Sequence, residues 1–182
     1  QEPYDWKISC LKESINRSMV WAQFEVDLGA TKTLNQVKLY PYNNRAYRYY
    51  VDVATTTGGP YTQVVNRHAN AEQAAVLTDT FTPTAARYVR VLVIGAKGYG
   101  GKMSENVNDN ENWVSIGELE LFGIGSPTTN LALNRTITCS SEPQPANGCK
   151  NLVDGNRNNR WAASFPLPEY VTHKRDSMNW WW

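Results

Sequence analysis

VWAQFEVDLG at 20–29 alternates along its length: Ala22, Phe24, Val26 and Leu28 fall on one side of an extended chain, Trp21, Gln23, Glu25 and Asp27 on the other, and Gly29 punctuates the end. A period of two marks a strand with one face in a core and one toward water. The reading extends outward from there. NQVKLY at 35–40 alternates again, the polar aromatic loop YNNRAYR follows at 42–48, and YYVDVATT at 49–56 is once more extended. GGP at 58–60 is a turn signal before YTQVV. ARYVRVLVIG at 86–95 and VSIGELELFG at 114–123 complete a series of short β-rich runs separated by turns, which is the pattern of an all-β sandwich or barrel. Phe24, Val26, Val89, Val91, Leu119 and Leu121 are the expected inward residues. Residues 70–78 have room for two helical turns, but alanine content alone is weak support for a helix that short.

The 182 residues are 41% hydrophobic and 19% charged, too apolar and too weakly charged for a disordered chain. Lys+Arg 18 against Asp+Glu 17 leaves a formal charge of +1, and neither sign gathers into a long run. No nucleic-acid partner is therefore expected. No window approaches the roughly 18 apolar residues of a membrane span, and QEPYDWKISC lacks the basic start and apolar run of a signal peptide. Of three cysteines, Cys139 and Cys149 enclose a polar, Pro-rich loop and are expected to form a disulfide; Cys10 has no nearby partner, and no second C-x-x-C pair points to zinc. Two glycosylation acceptors, Asn16 and Asn134, fit the same secreted, extracellular reading.

No catalytic constellation stands out. His68 and His173 are far apart, with no nucleophile elbow, zincin motif or nucleotide loop around them. Glu118 and Glu120 do not by themselves make a glycosidase pair, so the expectation is a protein that is not an enzyme and needs no catalytic cofactor. The loop at 42–48 offers recognition instead. Tyr42 can lay its ring on the C–H face of a sugar, Asn43 and Asn44 can donate and accept, and Arg45 and Arg48 can donate several hydrogen bonds. Against this stands a structural role: Asn43 and Asn44 making a turn, Tyr47 sealing the sandwich, the arginines solvating its rim. Tyr99 and Trp113 bracket a second polar loop, 97–113, where either ring could serve as a platform with Asn110 or Asn112 beside it; Trp113 is equally read as a core residue at strand entry, and Lys102 either as a reader of a charged sugar or phosphate or, more commonly for a solitary Lys in a Gly-rich loop, as ordinary surface.

GIGSPTT at 123–129 reads as a linker or domain edge, dividing the chain into 1–125 and 126–182. Trp6, Ser9, Ser18, Met19 and Trp21 recur in order as Trp161, Ser164, Ser177, Met178 and Trp180, about one domain later. The chain is thus expected to begin inside one copy of a domain and stop inside the next. A circular permutation, in which 130–165 completes the first body, is the alternative.

VWAQFEVDLG, ARYVRVLVIG, SIGELELFG, NLALNRTITCSS and NLVDGNRNNRWAAS, taken together, resemble the discoidin or coagulation-factor type C family within the galactose-binding-like folds. The resemblance implies an antiparallel β-sandwich, a discoidin-like jelly roll, with 1–125 lacking its opening segment and 126–182 supplying the opening of a second such domain. It implies noncovalent recognition of terminal sugars, galactose or a related hexose, on glycans or glycoproteins, strengthened by a homo-oligomer or tandem array. The alternatives are an adhesion or anionic-phospholipid-binding domain on a membrane, and an auxiliary carbohydrate-binding module of a larger enzyme. Relatives of this fold also place calcium between the early loop and a Glu of the final strand, which implies Glu118, Asp154, Asn156 and Asn159 as ligands to a structural calcium. The competing reading has Asp154 bonding turn N–H groups.

Overall fold

The computed structural model describes residues 22–97, 103–104, 114–141 and 144–163. They form strands β1 (Ala22–Pro41), β2 (Tyr47–Ala54), β3 (Thr62–Asn66), β4 (Leu77–Lys97), β5 (Met103–Ser104), β6 (Val114–Gly123), β7 (Thr136–Cys139) and β8 (Trp161–Ala163). Every pairing is antiparallel, in the order β3-β2-β4-β1-β6-β8, with β5 added to β4 and β7 to β1. This is the expected antiparallel, sheet-dominated jelly roll. Residues 71–76 adopt no helix; the Asn70 carboxamide takes the Glu72 N–H at 3.3 Å, and β4 begins at Leu77.

Gly29 does not end the first strand. Between Asp27 and Lys32 the register against β4 slips, Gly29 sits at φ 79, and the chain re-enters the same pairing, so β1 runs on to Pro41. A bulged strand bends. Before the bend β1 is flanked by β4 and β7, with Phe24 opposite Cys139; after it, by β4 and β6, with Val37 opposite Leu121. One strand thereby joins both parts of the sheet around a single core. Phe24, Val26, Val89, Val91, Leu119 and Leu121 are all buried there, together with Leu152, Val153 and Trp161. Further register shifts fall between Leu34 and Gln36 and then at the end of the strand, where Tyr40 stands opposite Glu118 but Pro41 opposite Ile116. Ile116 and Leu119 both enter the core across that irregularity.

Residues 130–163 pack into the body built by 22–123. β7 adds to β1, β8 adds to β6 with Trp161 opposite Ile116, and the Asn130 carboxamide oxygen accepts the N–H groups of Leu121 and Ala132 at 3.0 Å each. Trp161 meets Phe24 edge to face at 5.5 Å, and its indole N–H donates to the Ser141 carbonyl at 2.9 Å. Of the echoing residues only Trp161 is described; Cys10 and Asn16 also lie outside the described residues. Cys139 and Cys149 form the expected disulfide, with Cα atoms 5.9 Å apart.

Candidate functional site

The loop after β1 starts with a short 3-10 turn, Tyr42–Asn44, in which Asn43 and Asn44 take left-handed conformations at φ 54 and 55. Asparagine tolerates that region, and both carboxamides stand exposed. Turn-making and exposure are therefore combined in the same pair. Tyr42 is half-buried, with the Arg160 guanidinium 4.1 Å over its ring. Next to it Arg157 lies 4.3 Å over Tyr40 and pairs with Glu120, which also accepts the Tyr40 hydroxyl at 2.8 Å. Burial, and then that hydrogen bond, pushes the Tyr40 phenol up to about 12. Arg45 and Arg48 are half-buried at the base of the loop.

Tyr47 is a core residue. It is fully buried, donating its hydroxyl proton to the Ser115 carbonyl at 2.9 Å and accepting the Ser115 N–H at 2.6 Å. Tyr99, Lys102, Asn110, Asn112 and Trp113 lie outside the described residues. Tyr40, Arg157 and Arg160 were not among the sequence candidates. The string NRNNRW did carry the signal of two arginines three apart near a turn, but their tyrosine partners are more than a hundred residues earlier.

Residues 154–159 cover the outer side of β6. Both oxygens of the fully buried Glu118 carboxylate accept the Gly155 N–H, at 3.3 and 3.2 Å. Burial pushes this carboxyl up to about 8, and the neighbouring Asp154 and Glu120 carboxylates act in the same direction. Asp154 takes the Asn156 N–H on one oxygen at 2.8 Å and the Asn159 carboxamide on the other at 2.6 Å. It thus performs the turn role while standing beside Glu118. Asn156 is exposed and spends its carboxamide oxygen on the Asn158 N–H at 3.0 Å. Its side chain organises the turn.

The groups here are oxygen donors of the kind that calcium takes, although no cluster of three or more acidic, histidine or cysteine side chains forms among the described residues. The Asn159 carboxamide oxygen is buried and has no hydrogen-bond partner, an expensive state for a polar atom. A Cβ built on Gly117 would lie 3.4 Å from the Asn159 carbonyl oxygen and 3.5 Å from those of Arg157 and Tyr40. Carbonyls, a carboxamide oxygen and a desolvated carboxylate are the hard oxygen donors that calcium takes, roughly six to eight at a time. Glu118 and Asn159 would hold the ion with backbone carbonyls, and Asp154 would add charge.

No curated protein matches the chain. Among solved structures it is similar to one described as CpGH89CBM32-6 produced by Clostridium perfringens, at 21% identity and a TM-score of 0.41, covering 53% of this chain and 64% of that one. It is similar to chitosan-binding module 1 of a chitosanase/glucanase from Paenibacillus sp. IK-5, at 26% identity and a TM-score of 0.43, covering 58% of this chain and 71% of that one. A third is the CBM32 of AlyQ in complex with 4,5-unsaturated mannuronic acid, at 24% identity and a TM-score of 0.43, covering 59% of this chain and 84% of that one. Residues 11–91 match the family model described as NedA-like, galactose-binding domain. That match spans β1, β2, β3, the first part of β4 and the 42–48 loop, so this part of the chain is similar to a galactose-binding domain of the coagulation-factor type C kind.

Proposed function

We propose that this chain is a carbohydrate-binding module whose site lies where the 42–48 loop meets 157–160. The observation that carries the reading is the stack of Arg160 on Tyr42 beside the exposed Asn43 and Asn44. The cation fixes the ring, the ring offers apolar surface to the C–H face of a sugar, and the carboxamides discriminate hydroxyl positions by directional hydrogen bonds. A structural calcium held by Glu118, Asn159 and neighbouring carbonyls supports the site by fixing 154–159 against β6. It neutralises buried carboxylate charge there and does not itself need to touch the sugar.

We take the module to be auxiliary to a larger carbohydrate-active enzyme rather than a free lectin. One shallow site binds weakly, and attachment to a catalytic domain or to further copies raises the effective concentration at the glycan surface. Two N-x-S/T motifs and the disulfide favour an extracellular setting, where Asn134 is exposed on its turn. Among the described residues no helix is long and apolar enough to cross a membrane.

The test is a glycan array followed by calorimetry on the hits, with galactosides and related hexosides as probes. Saccharide-dependent binding that survives moderate salt, falls about tenfold or more in Tyr42→Ala and changes preference in Asn43→Ala supports the reading. Failure to bind any saccharide when displayed multivalently with calcium, together with strong binding to phosphatidylserine vesicles, overturns it.

A further inference from the structure

A recess of about 280 Å³ opens on the outer face of the sheet, lined by Gln23, Glu25, Tyr61, Arg90, Thr138 and Ser140, with Phe24 and Cys139 between them. It shares no residue with the loop site. The strand registers explain why these side chains meet. Glu25 of β1 stands opposite Thr138 of β7 on one side and Arg90 of β4 on the other, and Arg90 stands opposite Asp52 of β2. Residues directly opposite in a sheet share a face, so Thr138, Glu25, Arg90 and Asp52 make one polar row across four strands.

The row is rigidly held. Asp52 is fully buried and pairs with Arg90 at 2.9 Å. The Tyr61 ring lies 3.7 Å from the Arg90 guanidinium carbon, and its hydroxyl donates to one oxygen of Glu25. Gly59, at φ +95, lets the ring lie there: a Cβ at 59 would come within 2.8 Å of it. One polar atom beside the recess is buried without a hydrogen-bond partner, the Arg90 Nε, and the Tyr61 hydroxyl occupies only one of the two Glu25 oxygens.

We propose that this recess is a second saccharide site, in which Glu25 and Arg90 read adjacent hydroxyls of an uncharged sugar. A carboxylate that accepts next to a guanidinium that donates matches a vicinal diol, whose hydroxyls do both. Charge selects against the alternative ligand. Glu25 and buried Asp52 flank the single Arg90, so a sulfate or uronate would face two carboxylates for one cation. Gln23, Thr138 and Ser140 supply amide and hydroxyl groups around the rim, and Tyr61 forms its wall. Two sites on one domain would let a single module bridge two chains of a polysaccharide.

The experiment is a titration of the full ¹⁵N-labelled chain with methyl galactoside, methyl glucoside and methyl mannoside, and separately with sulfate and glucuronate. At least one uncharged glycoside should saturably shift the amides of Gln23, Glu25, Thr138 and Ser140 with its own dissociation constant. Glu25→Gln, which keeps an acceptor for Tyr61, and Thr138→Arg, which fills the recess from an exposed position, should each weaken that response about tenfold while shifts in the 42–48 loop persist. In Tyr42→Ala the recess response should remain and the loop response disappear, so the two sites stand or fall separately. The proposal is overturned if no uncharged glycoside moves these four amides at millimolar concentration, if both variants respond like the parent, or if only the anions bind.

Discussion

Trp161→Ala tests whether 130–163 and 22–123 are one cooperative body. Trp161 is fully buried, packs edge to face on Phe24 and donates its indole N–H to Ser141. Truncating a buried aromatic to alanine removes transfer free energy and leaves a cavity, together about 3–5 kcal/mol; the ring pair accounts for roughly 0.5–1.5 kcal/mol of that. With a urea slope of about 2 kcal/mol/M, a loss near 4 kcal/mol moves the midpoint down by about 2 M. Urea unfolding followed by far-UV circular dichroism reads this directly. A double-mutant cycle with Phe24→Leu isolates the ring pair, for which a coupling of about 1 kcal/mol is expected. Two separated transitions, one of them at the parent midpoint, would refute the single body, as would a loss below about 1 kcal/mol.

Replacing Cys139 and Cys149 by serine should lower stability by roughly 2–4 kcal/mol through the released loop, and nonreducing peptide maps should recover the two cysteines joined. Calcium should raise the melting temperature of the parent and leave that of Glu118→Ala unchanged; equal effects on both would move the ion away from β6. Asp27 accepts from Arg87 at 2.9 and 3.0 Å and from the Gly29 N–H at 2.8 Å, and the Arg87 hydrogen bond comes first in holding its carboxyl below the usual range. A depressed folded value means that the contribution is present above the unfolded carboxylate range near pH 4 and is lost as pH falls through the folded value. Asp27→Asn should therefore flatten the acid limb of the stability curve and leave stability at pH 2 nearly unchanged; an unaltered limb would show the pair contributes nothing.

What was legible in the sequence was alternation. Ala22, Phe24, Val26 and Leu28 read directly as an inward face because a strand repeats every two residues, and Leu119 and Leu121 read the same way. The continuity of β1 through Gly29 was not legible, since a glycine looks alike whether it ends a strand or bends one, and only the resumed pairing with β4 distinguishes them. Glu118 illustrates a second limit. Alternation puts it on the face opposite Leu119, and an isolated sheet would leave that face in water. It is buried because 154–159 fold over it, a contact made by residues 37 positions away. Tyr42 could be named from its chemistry, but its guanidinium partner could not, because cation stacking is a tertiary property with no local spacing.

Both elements that define the loop site are supplied from opposite sides of one seam. Tyr40, Tyr42 and Glu118 come from the body of 22–123, whereas Asp154, Arg157, Asn159 and Arg160 come from the segment that docks on it. Binding and docking are therefore linked. An ion or sugar that binds only the docked form stabilises it by RT ln(1 + [L]/Kd), about 2.7 kcal/mol at a hundredfold excess over the dissociation constant, and a substitution that loosens docking weakens both ligands without touching either. Trp161 is such a position: its ring contacts the core, while the residue before it, Arg160, stacks on Tyr42. Its truncation should thus reduce sugar affinity by the fraction of molecules left undocked, which separates a docking defect from the removal of a proposed contact such as Tyr42.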